Sequence, residues 1–296
     1  MNKDQRDIQQ AVSHGTLKYI PIEKINQENL TVKNEGGWCS IASAAATGHL
    51  DQIPKKFLTE ENLRIRNMWS DTIFHIAARN GNITQIPLEH LTPENLGISN
   101  GSNGTPLHEA AKNDHLNQVP EKAFSHKTLT IKDDQGNTPL HRAAALRQLK
   151  SIPKKFLNEE ALFKLNHQGE NCLHLECRNI GILEIPEELL TQHNLLKKNS
   201  EGDTALDISF RKTGMNNLPQ KIKRLPLVAL YLNSAERHEQ LVRKCPDPKK
   251  FVEALRICDK VHKKTLEYGL KLAEELKYKK NKLSKAISEI QKIITH

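Results

Sequence analysis

The stretch NGSNGTPLHEAAKNDHLNQVPEKAFSHKTLTIK, Asn100 to Lys132, decides the fold because its landmarks return at steps of 33 residues. It opens on Asn100, Gly101, Asn103 and Gly104, residue types that accept positive φ or bond their own backbone, and so predicts a turn. Thr105 is a natural N-cap, and Pro106 suits the first helical position, where its missing N–H costs nothing. Leu107, Ala110 and Ala111 follow at helical spacing on one face, the alanines small enough for neighbouring helices to approach closely. Val119, which precedes Pro120, is pushed toward extended geometry, so the segment Leu116 to Val119 is expected to leave the helical region. Pro120 is expected to open a second, short helix carrying Phe124. A third turn is expected to start near Ser125, with Leu129 pointing inward.

Outward from this unit the same columns repeat. Proline stands at Pro21, Pro54, Pro87, Pro120, Pro153, Pro186 and Pro219, each behind an apolar residue, Ile20, Ile53, Ile86, Val119, Ile152, Ile185 and Leu218. Leu30, Leu63, Leu96, Leu129, Leu162 and Leu195 share the step, as do Ala45, Ala78, Ala111, Ala144 and Cys177. Asn34, Asn67, Asn100, Asp133, Asn166 and Asn199 place a turn-former at the head of successive units, and Asn26, Thr59, Thr92, Asn158 and Thr191 can cap the third turn. Self-similarity at a fixed period of this length is the mark of a repeat architecture. The composition agrees: 4% aromatic and 37% hydrophobic residues beside 27% charged ones suit a thin core better than one deep globular centre.

The segments TPLHEAAKNDHL (Thr105 to Leu116) and TPLHRAAALRQL (Thr138 to Leu149) resemble the TPLHxAAxxGHL signature of ankyrin repeats. Weaker copies begin at Thr72, Cys39, Asn171 and Thr204, and DIQQAVSHGTL from Asp7 reads as an opening half-unit without its loop. The likeness spans about residues 5 to 224. It implies an all-α solenoid of about seven 33-residue units. One feature departs from the family pattern, whose second helix runs unbroken where these prolines fall. A proline inside a helix costs about 3 kcal/mol or more, so the second helix should start at the proline and be short.

The resemblance also implies a protein–protein interaction scaffold, gripping its partner with the inter-repeat loops and the exposed face of the first helices. On that surface the candidates are Trp38, Trp69, Arg79, Asn80, Glu109, Lys112, Asn113 and Arg142. Tryptophan in a loop is a good interface anchor, or packs over its neighbouring loop; the polar residues read equally as a solvated helix face. His75, His108, His141 and His174 recur once per unit, where the resemblance implies hydrogen bonds that bridge adjacent repeats rather than catalysis or metal binding. His167, Cys172, His174 and Cys177 are zinc-ligand types without a diagnostic spacing, and both cysteines replace small packing residues of the pattern, so no metal is expected. No GxSxG, HExxH, P-loop or GxGxxG pattern occurs, and no enzymatic activity or cofactor is expected.

From Lys221 onward 19 Lys and Arg stand against 9 Asp and Glu, an excess that accounts for the whole chain's formal charge of +9. Residues 225–296 are therefore read as a separate basic helical module beside an array over 1–224. A helix at Leu225 to Lys244 would cap the last repeat, and a helical hairpin or long helix would follow Pro248. Its basic face could meet nucleic acid, an anionic membrane or an acidic protein. That yields the alternative reading, in which the repeats only position the tail. The amino terminus shows no secretory apolar stretch, and five cysteines without a framework spacing suit a reducing, cytosol-like compartment. The chain is expected to be a cytoplasmic monomer. Arrays of this family are frequent among bacterial effectors delivered into host cells, which keeps such a route open.

Leu129→Ala is expected to lower the unfolding free energy by about 2–5 kcal/mol in urea denaturation. A loss below roughly 1 kcal/mol would mean that the leucine column does not face the core.

Overall fold

A computed structural model describes residues 1–179 and 184–213. The expected boundary at residue 224, Pro219 and the basic helices beyond lie outside the described residues. The chain falls into two compact units parted between Cys172 and Leu173. Among the described residues there are helices, turns and one isolated bridge pair, and no helix is long and apolar enough to cross a membrane.

In the first unit the leading helices are Lys3–Ser13, Ser40–Thr47, Ile73–Arg79, Pro106–Lys112 and Pro139–Ala145. The opening one begins earlier than its sequence copy at Asp7 suggested, because Asn2 and Gln5 close a capping box around its first turn. Thr105 and Pro106 take the cap and first helical positions foreseen for them. The small-residue column packs as expected, since Ala45, Ala78, Ala111 and Ala144 have no exposed surface. Close approach is also enforced at Gly81, whose φ of +72° suits glycine and whose missing Cβ would stand 2.9 Å from the His115 ring.

The second helix differs from the expectation. In the first unit each of Pro21, Pro54, Pro87, Pro120 and Pro153 separates two single 3-10 turns, as at Leu116–Gln118 and Glu121–Ala123, and Phe124 lies in extended backbone just past the second. The cause is local. Val119 is extended (ψ 124°) and Pro120 sits in polyproline-like geometry (φ −68°, ψ 144°), so neither can belong to an α-turn. Pro21, Pro54, Pro87 and Pro153 adopt nearly the same angles, which makes the break a property of the repeat. A short α-turn then recovers the packing: Gln27–Thr31, Glu60–Leu63, Pro93–Leu96, His126–Leu129 and Glu159–Leu162 are each capped by the side chain of the preceding Asn, Thr or Ser. Their inward leucines, Leu30, Leu63, Leu96, Leu129 and Leu162, are fully buried, each contributing roughly 1.5–3 kcal/mol of transfer free energy.

In the second unit the described elements are the helical residues following Leu173, a 3-10 turn Glu187–Leu189, and helices Gln192–Leu195 and Ala205–Thr213. Thr191 caps Gln192–Leu195 through the Asn194 N–H, and Leu195 is fully buried. The repeat chemistry therefore continues there.

Side chains close the joints between repeats. His75, His108 and His141 each accept the backbone N–H of Thr72, Thr105 or Thr138 on Nδ1, which leaves the proton on Nε2. That Nε2–H donates to the carbonyl of Gly104, Asn137 or Glu170 in the following repeat, at 3.1, 2.9 and 3.0 Å. The bridging that the resemblance implied is thus present, and His174 makes its own bond to the Lys197 carbonyl within the second unit. On the opposite side Gln52 and Gln85 accept the N–H of Leu17 and Leu50, one repeat upstream.

Burial, which penalises the charged imidazolium, pushes the pKa of His75 and His141 down to about 4, and that of His108 down as well. Protonation would also set an N–H on Nδ1 against the Thr N–H. An unfolded histidine titrates near 6.5, so between about 4 and 6.5 the unfolded chain binds more protons than the folded one. Stability should be complete above that window and should fall with pH inside it, by on the order of 2 kcal/mol for each of His75 and His141 at pH 5. Urea midpoints at pH 7 and pH 5 check this, and His141→Gln should flatten the dependence; equal midpoints at the two pH values would contradict the neutral bridge.

Candidate functional site

The loops between repeats are built by one side chain each. The Oδ1 atoms of Asn34, Asn67, Asn100, Asp133 and Asn166 accept two backbone N–H groups, two and four residues ahead, at 2.9–3.0 Å. This fixes every loop as a tight finger. The tips then join in register: Met68 N–H donates to Gly36 O, Gly101 to Trp69, Asp134 to Ser102 and His167 to Gln135. Asn199 organises the finger of the second unit in the same way.

Trp38 and Trp69 are brought together. Their rings meet edge to face, with centroids 6.5 Å apart and planes at 77°, a favourable arrangement of aromatic quadrupoles. Of the two sequence alternatives the packing one is seen, since the indoles pack on each other; Trp69 nevertheless stays 55% exposed and Met68 beside it 65%. Met68 was not among the sequence candidates; its place at a finger tip beside a tryptophan is the signal that could have found it.

The polar candidates separate into locked and free groups. Arg79 donates to Asp71 Oδ2 at 2.9 Å and to Glu109 Oε2 at 2.7 Å, tying one repeat to the next. Burial would raise the Asp71 carboxyl, but the Arg79 guanidinium and the Asn100 amide outweigh it and hold the pKa below its usual value. Arg142 is held by Asp133 Oδ2 at 2.7 Å and Gln135 Oε1 at 3.1 Å, and Asp133 is likewise lowered by Arg142 against the effect of burial. Arg79, Glu109 and Arg142 are therefore structural as well as surface-lining. Asn80 and Asn113 turn back to the Ile76 and Glu109 carbonyls of their own helices, both at 2.8 Å, and serve as helix ends. Lys112 is exposed and makes no ion pair, leaving it available to a ligand.

Glu109, Lys112 and Arg142 come together with Asp133, Asp134 and Ser102 around a groove of about 360 Å³ between two adjacent repeats. Its lining is polar and mixed in sign. Such a groove can take a polar or charged side chain, and it offers no paired nucleophile and base. Among the described residues no group of three His, Cys, Asp or Glu side chains is placed to hold a metal ion; Cys172 and Cys177 are buried and His167 is exposed.

Residues 75–153 match the family model for ankyrin repeats (3 copies). No curated protein matches the chain. The matched stretch holds the best TPLH copies and two of the histidine bridges, and the loops, caps and leucine turns on its amino-terminal side follow the same plan. Ankyrin repeats generally mediate protein–protein interaction. Over residues 75–153 the bridged, finger-bearing helical repeats found here are ankyrin repeats.

Proposed function

We propose that the array is a non-enzymatic scaffold that binds a partner protein across its fingers and the exposed face of its leading helices. The observation that carries this reading is the exposed indole of Trp69 beside Met68 on a rigid row of fingers, since aromatic anchors on a preorganised surface lose little entropy on binding. Lys112 and the adjoining groove supply a polar contact one repeat further on. The partner-binding residues are taken as Trp38, Trp69 and Lys112 in direct contact, with Glu109 and Arg142 lining the groove. Arg79, Asn80 and Asn113 shape the same face from within.

Nothing in this mechanism needs a reacting group. Occupancy of a surface is the activity, as it would be for a bacterial effector delivered into a host cell. The alternative, nucleic-acid or anionic-membrane binding through residues 225–296, concerns a segment outside the described residues. Deleting it separates the two: protein binding that survives belongs to the array.

Affinity capture with the purified full-length chain, from its native cell or host, tests the proposal by quantitative mass spectrometry. A specific partner should be captured by the wild type and depleted about tenfold or more by Trp69→Ala, as expected for loss of an aromatic anchor. Lys112→Glu should weaken it several-fold with a steeper salt dependence. A captured protein indifferent to both substitutions would place the binding surface elsewhere.

A further inference from the structure

One loop breaks a pattern that its neighbours keep. With Oδ1 held by two backbone N–H groups, Asn100 and Asn166 turn Nδ2 to the preceding finger. Asn100 Nδ2 donates to Asp71 Oδ1 at 2.7 Å, and Asn166 Nδ2 donates to Asn137 Oδ1 at 3.0 Å. Acceptor and donor thus occupy two columns that read in step: Trp38, Asp71, Gly104 and Asn137 against Asn67, Asn100, Asp133 and Asn166. Where Gly104 offers no acceptor, the facing residue is Asp133, which has no amide to satisfy and takes Arg142 instead. Where Trp38 offers none, the facing residue is still Asn67.

The consequence is a buried donor without a partner. Asn67 is 8% exposed, its Oδ1 accepts from Trp69 and Asp71, and its Nδ2 has no hydrogen-bond partner. An unmet buried amide costs about 1–3 kcal/mol, a loss that an asparagine or aspartate at position 38 would remove. A close finger contact lies here too, since a Cβ on Gly37 would stand 2.7 Å from the Met68 nitrogen. The orphaned donor coincides with the two indoles and the exposed methionine. Local rules broken at such a spot mark function rather than stability.

We infer that Trp38, Met68 and Trp69, with the Asn67 amide between their fingers, form an anchoring subsite for an extended segment of the partner protein: one apolar side chain lies against the indoles, and one main-chain carbonyl oxygen accepts from Asn67 Nδ2. This rests on the protein-binding reading above and adds the chemistry that the partner must bring. Both halves are needed. The apolar surface supplies area but no register, and the single donor fixes which residue of the segment sits there. To reach Nδ2 the incoming carbonyl takes the place that a side-chain oxygen holds in the neighbouring joints, so Trp38 must shift on binding.

The chain has only two tryptophans, and both are in this subsite, so indole emission of the whole protein reports on it alone. Titration of the full-length chain with acetyl-Gly-Phe-Gly-amide should change that emission saturably and move the Asn67 side-chain NH₂ resonances in a ¹H–¹⁵N spectrum. Acetyl-Gly-Gly-Gly-amide should do neither at equal concentration. Asn67→Asp keeps the finger, because Asp133 builds the same loop from its carboxylate. It removes the donor and should weaken the phenylalanine peptide about tenfold. Trp38→Asn supplies the missing acceptor, as Asn137 does for Asn166, and should raise the thermal midpoint while abolishing the peptide's effect on Asn67. The inference is overturned if the phenylalanine peptide leaves both signals unchanged, if triglycine matches it, or if Asn67→Asp binds it as tightly as wild type. A lower midpoint for Trp38→Asn would overturn it as well, since the indole face would then already satisfy the amide. Loss of captured partner with Lys112→Glu despite such a failure would leave the protein-binding surface standing without this anchor.

Discussion

Neutral imidazoles at His75, His108 and His141 govern the joints from Thr72 to Glu170. One ring nitrogen accepts the N–H that begins its own helix and the other donates to the finger of the next repeat, so a single side chain fixes both the helix start and the distance to the neighbour. The geometry works for one tautomer and one charge state only. Burial enforces both, and the small alanines behind the histidines let the helices come close enough for the bond to reach. The fingers inherit their spacing from it. A surface whose loops are set by backbone-directed bonds is rigid before any partner arrives, which is what favours binding at modest contact area.

The recurring proline imposes a compensating design on the other side. By ending the second helix after a single turn it removes most of the apolar area that a full helix would bury. The capped leucine turn restores part of that area. Gln52 and Gln85 add polar bonds to backbone N–H groups of the preceding repeat, which the interrupted helix leaves unmatched. Each device acts only between nearest neighbours, so stability is expected to accrue joint by joint.

The fold was legible in the sequence because burial is written as columns: Leu129 and its counterparts, the alanines, the cap residues and the histidines all recur at one step, and all behave alike in space. The extent of the helix break was less so. A proline announces that an α-turn cannot pass through it, but two 3-10 turns and a short helix satisfy that rule equally well, and only packing against neighbours selects between them. The candidate site was legible in the loop placement of its tryptophans and misleading in its charges. Trp38 and Trp69 could be placed in loops, whereas their edge-to-face contact depends on the finger spacing. Arg79 and Arg142 look like solvated cations until Asp71, Glu109 and Asp133 are brought beside them. Asn67 is visible only when two columns are compared pair by pair, because its peculiarity lies in what faces it.

The imidazole bridges in the first unit all span 29 residues. A bond of fixed reach never notices how many repeats lie before or after it, so the loop that must close during folding stays short however long the array grows. Copying or excising one whole 33-residue module in the gene would leave every remaining joint with its own donor and acceptor. Lengthening by internal duplication is therefore the cheapest route by which such a protein can acquire a new stretch of surface, and point changes at finger tips can then individualise the copy.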